Sequence, residues 1–101
     1  MKLILEFDLD ADIIDVPQFV VENRLLLQKR FTKWLYNRHV KHQYWVIYRD
    51  NYGKEIRGVK YRSNAFVEWL NKKVIHDECE KARIVAEHVS EYPADLPILY
   101  F

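Results

Sequence analysis

Between residues 44 and 62 the chain interleaves rings with cations. Tyr44, Trp45, Tyr48, Arg49, Lys54, Arg57, Lys60, Tyr61 and Arg62 all fall in this stretch. Aromatic side chains on a pleated surface stack on unpaired bases, and Arg and Lys hold phosphates. These nine residues are therefore the candidate binding residues, for an anionic partner and most specifically a nucleic acid. The same pattern also describes a core filled by rings and rimmed by solvated cations. Alternation along a strand puts Trp45, Ile47 and Arg49 on one face and Tyr44, Val46 and Tyr48 on the other.

Other constellations are poorer chemistry. His39-x-x-His42 and His76-x-x-Cys79 have a spacing that resembles paired zinc ligands, but one thiolate anchors zinc weakly and Arg38 and Lys41 repel a cation. Asp8, Asp10, Asp12 and Asp15 offer hard oxygen ligands for magnesium, but no Gly makes the sharp turn of a calcium loop. These aspartates carry a weaker alternative, a metal-dependent hydrolase. Cys79 lies beside Asp77, Glu78 and Glu80, which disfavour a thiolate nucleophile. Ser63 and Ser90 sit in no G-x-S-x-G elbow, and no phosphate-binding glycine loop is present. The expectation is a non-catalytic protein with no catalytic residue, no metal site and no cofactor.

Arg62–Trp69 is similar to the RNP1 segment of the RNA recognition motif at Arg62, Ala65, Phe66 and Val67. Ser63 replaces its glycine and Asn64 one of its stacking aromatics, and strand 3–9 lacks the companion RNP2 pattern. Ser63-Asn64 reads as a helix cap.

Charge is segregated behind a net charge of +1. Residues 1–23 hold one Lys and six acids, residues 24–73 hold 13 cations and three acids, and residues 74–101 hold two cations and six acids. A partner senses this local potential and not the total. The basic middle therefore faces an external anion, an acidic protein surface, or the acidic ends of its own chain or of a second copy. A homo-oligomeric or protein–protein module is thus the alternative function.

The elements that must position these residues follow from periodicity. The chain of 101 residues, half hydrophobic, suits one small α+β domain over residues 1–101. Residues 2–9 alternate as a strand, and Asp8–Asp15 reads as an acidic loop ending in an N-cap at Asp15. A helix over 16–37 carries the stripe Val16, Val20, Leu27, Phe31, Trp34 and Leu35, with Leu25 and Leu26 outside it. Residues 43–62 form a hairpin about Asp50-Asn51-Tyr52-Gly53, and Gly58 suggests a bulge. A second helix runs over 65–75. Residues 82–89 read as a strand or a helix, with the strand preferred, and 96–101 as a further strand. The result is an antiparallel sheet with two main helices, in the ferredoxin-like order β-α-β-β-α-β plus a C-terminal strand. One Cys excludes an internal disulfide framework, and the N-terminal apolar run is too short for a membrane span. A cytoplasmic protein without membrane contact is expected.

Overall fold

Leu3, Leu5 and Ile14 share one face of a strand pair, and that apolar face is the seed of the main sheet. The computed structural model describes residues 1–101. In chain order the elements are β1 (Lys2–Glu6), β2 (Ala11–Asp15), α1 (Gln18–Glu22), α2 (Arg24–Leu35), β3 (Trp45–Arg49), β4 (Glu55–Val59), α3 (Ser63–Lys73), β5 (Arg83–Val89) and β6 (Ile98–Tyr100), with one 3-10 turn at Glu78–Glu80. The protein is a small α+β domain whose sheet is mostly antiparallel. No helix is long and apolar enough to cross a membrane.

The main sheet has the order β5-β2-β1-β6. β2 is antiparallel to β1 and β5, and β6 is parallel to β1. On the front face Leu3, Leu5 and Ile14 meet Val20, Leu27, Phe31 and Leu35 of the helices and Phe66, Trp69 and Leu70 of α3. Phe31 lies at the centre of the aromatic packing, within 5.2–6.1 Å of Trp34, Tyr61, Phe66, Trp69 and Phe101. Ile4 points to the back face and is nonetheless fully buried. Tyr92, from the connection before β6, reaches Glu6 on that same face.

α1 and α2 are one helical path interrupted at Asn23. Its backbone leaves helical geometry at φ −109°, ψ 18°, and its side-chain amide donates to Phe19 O at 2.7 Å. Side-chain competition of this kind bends a helix. Val20, Leu27, Phe31 and Leu35 of the expected stripe are buried on the helices, Val16 is buried ahead of them and Trp34 is half-buried. Val21 joins the core, and Leu25 and Leu26 are exposed as expected.

β3 and β4 form a separate two-stranded sheet. The Asp50 carboxylate ties its turn by accepting from the N–H groups of Tyr52 and Lys54, and Gly53 takes φ +77°. Exposure rises from the half-buried base at Trp45 and Val59 to the tip at Arg49 and Glu55. The radius of gyration is 14.9 Å and the longest extent is 46 Å. A compact chain of this length has a radius of gyration of about 13 Å. The hairpin is therefore an arm on a compact body.

Several expectations are corrected. The ferredoxin-like order is not found, because Ala11–Asp15 is a strand and the hairpin does not join the main sheet. Asp15 does not cap the helix. It sits in β2, bound to the Met1 ammonium at 2.8 Å and to Arg83 at 3.3 Å, and Pro17 occupies the cap. Ser63 is the first residue of α3 and donates elsewhere. Gly58 makes no bulge, since the register from Trp45↔Val59 to Arg49↔Glu55 is unbroken. It makes room for Tyr48: a Cβ there would lie 2.8 Å from the Tyr48 ring. The tail resolves as strands β5 and β6.

Candidate functional site

Two polar regions emerge, and the basic middle contributes to both. The first is built around Asp12, a carboxylate only 1% exposed on the front face of β2. Four donors converge on it and on its neighbour Asp10. Arg62 donates to both Asp10 and Asp12 at 2.7 Å. Ser63 Oγ donates to Asp12 at 2.5 Å, and the His88 N–H donates to it at 3.0 Å. His88 Nδ1 lies 2.7 Å from Asp10. The β2–β5 register slips beside Asp12. His88 takes φ 55°. That left-handed region is costly for a residue with a Cβ. The slip turns the His88 N–H and ring onto the two carboxylates, which offsets that strain.

Electrostatics follow from this geometry. Burial pushes the Asp12 carboxyl up, but Arg62, Ser63 and the His88 N–H outweigh it and hold it below the ordinary 3.8. The His88 and Arg62 contacts hold Asp10 down as well. The ligand atoms of Asp10, Asp12 and His88 lie within 4.8 Å of one another, so they could meet one cation. The Arg62 guanidinium already sits among them as the counter-charge. A cavity of about 620 Å³ opens beside this group, lined by Phe7, Lys60, Arg62, Asn64, Glu87 and His88. Its charges are mixed in sign.

The second region is a cleft of about 580 Å³ between the arm and the end of α2. Tyr36 and Arg38 come from the helix end, and Trp45, Lys54, Glu55 and Arg57 from the arm. The Arg57 guanidinium lies over the Trp45 ring, 4.4 Å from its centroid. His42 stacks on Trp45 at 5.0 Å with an interplanar angle of 4°. Trp45 Nε1–H donates to Val40 O at 2.8 Å. His42 is itself fixed, with Nε2 2.7 Å from Leu35 O and Nδ1 accepting from the Tyr44 N–H. The stacked His42–Trp45 pair thus supports the Arg57 guanidinium from below. Arg38, Lys54 and Arg57 have no carboxylate within ion-pair distance, while Glu55 faces Arg49 at 3.7 Å.

The nine candidate residues divide accordingly. Tyr44 is buried and its hydroxyl donates to Glu68 at 2.9 Å; burial raises its pKa. Tyr61 packs among Phe7, Phe31 and Phe101, and Arg62 holds Asp10 and Asp12. Trp45, Lys54 and Arg57 line the cleft, Tyr48 and Arg49 are exposed further out, and Lys60 is exposed beside the Asp12 cavity. Sequence reasoning missed Tyr36 and Arg38, whose signal was only their position after the last turn of an amphipathic helix. His39, His42, His76 and Cys79 form no ligand group. Neither family models, nor curated proteins, nor solved structures match this chain.

Proposed function

We propose that the protein is a non-catalytic binding module whose arm engages an anionic polymer, most specifically a nucleic acid. One observation carries this reading: the arm stands off the main sheet and carries Lys54 and Arg57, which no carboxylate of the chain neutralises. A basic surface without internal partners raises the local concentration of polyanions and releases counterions when it binds them. Tyr48 and Tyr52, 52% and 95% exposed, add rings elsewhere on the same arm, Tyr48 on the face opposite Arg57. The test is fluorescence anisotropy with single-stranded and duplex probes across salt. Affinity should fall linearly on a log–log plot, and Lys54→Ala/Arg57→Ala should lower the slope by about two. No binding of either probe at low salt would dispose of the reading.

A second reading, a homo-oligomer, is favoured by Leu25 and Leu26, adjacent on α2 and 71% and 56% exposed. Its signature is a mass in light scattering that rises with concentration and that Leu25→Lys/Leu26→Lys returns to the monomer. A constant mass at high concentration removes it.

A further inference from the structure

We infer that the cleft between the arm and the end of α2 holds one unpaired nucleotide, with its base on Tyr36 and its phosphate among Arg38, Lys54 and Arg57. This rests on the nucleic-acid reading above and specifies the form of the ligand. The cleft volume is about 580 Å³. That is within the usual size of small-ligand sites, and it admits a nucleotide but not a duplex. Charge is complementary, since the three cations are unpaired and the one carboxylate, Glu55, faces Arg49. The walls are aromatic as well as cationic, which a bare phosphate would not need. Trp45 is not the stacking ring, because its ring is engaged by His42 and Arg57 and its N–H by Val40. Its role is to fix Arg57, whose planar guanidinium accepts phosphate or the face of a base. Tyr36 is 55% exposed and makes no side-chain hydrogen bond to the protein, so its ring is the one a base can reach.

The test compares four probes at one salt concentration: a short oligothymidylate, an abasic strand of equal length, a duplex of equal length and an oligoglutamate peptide. The single strand should bind about tenfold more tightly than the abasic strand, because stacking on one ring contributes on that order. The duplex should bind less tightly than the single strand and the peptide no better than the abasic strand. A duplex that binds as tightly as the single strand would overturn the unpaired-nucleotide cleft. Tyr36→Ala should bring the single strand to the abasic level, and Tyr36→Phe should not. Tyr36 is at the surface, and circular dichroism checks that its variants stay folded. Equal affinity for the single strand and the abasic strand would overturn the base-binding cleft and leave the polyanion reading standing. Preference for oligoglutamate would replace the nucleotide with an acidic protein. Failure of all four probes to bind would overturn both readings together.

Discussion

Asp12 is the one buried carboxylate of the chain. A buried carboxylate is tolerated only when donors compensate its lost hydration. Here Arg62, Ser63 and the His88 N–H supply that compensation, and all three are distant from Asp12 in the chain. Asp12→Ala leaves Ser63 and the His88 N–H without their acceptor and Arg62 with Asp10 alone. It should lower the unfolding free energy by about 2–3 kcal/mol in urea titration. The same group sets a pH limit. Asp10, Asp12 and Asp15 all ionise below the ordinary 3.8 when folded. A carboxylate depressed in the native state stabilises it fully above its unfolded value and loses that contribution as pH falls through its folded value. Stability should therefore hold from neutrality to about pH 5 and fall steeply below about pH 4, with a shallower acid limb for Asp12→Ala. Urea midpoints across pH measure both. The sequence displayed these aspartates but not their partners, because the donors lie 50 to 76 residues away.

At the level of elements, the arm and the main sheet should differ in persistence. A two-stranded ribbon has no second layer over much of its surface and is marginal alone. β1 lies between two strands, with Leu3, Ile4 and Leu5 fully buried. Native-state hydrogen exchange should release the amides of Tyr48 and Ile56 well before those of Leu3 and Leu5. Equal protection would mean the arm is covered in solution, as an oligomer contact would require. The arm was legible in the sequence, since aromatic and β-branched runs flank an Asp-Asn-Tyr-Gly turn. β2 was not. Its acids at Asp12 and Asp15 resembled a solvated loop, and only pairing on both edges makes Ala11–Asp15 a strand.

For the whole molecule, the ends of the chain close the structure. Arg24 and Gln28 of α2 donate to the carbonyls of Ile98 and Tyr100, and Phe101 stacks on Phe7 at 5.4 Å. Phe101 belongs to a ring cluster that includes Phe31, Tyr61 and Phe66, and it is only half-buried. Phe101→Ala should therefore cost about 1–3 kcal/mol, less than the loss of a fully buried Phe. Equilibrium unfolding checks the value. The charge segregation is resolved by the same long-range packing. Arg62 turns inward to the acidic N-terminal strand pair, while Arg38, Lys54 and Arg57 stay unpaired around the cleft. The sequence by itself determined the α+β class, the buried helix stripe, the hairpin and the exposed Leu25 and Leu26, because periodicity and turn chemistry act over a few residues. Only the tertiary structure decided which cations are neutralised, which rings are core, and that Tyr36 and Arg38 face the arm. Those outcomes depend on contacts between segments far apart in the chain, and no local pattern encodes them.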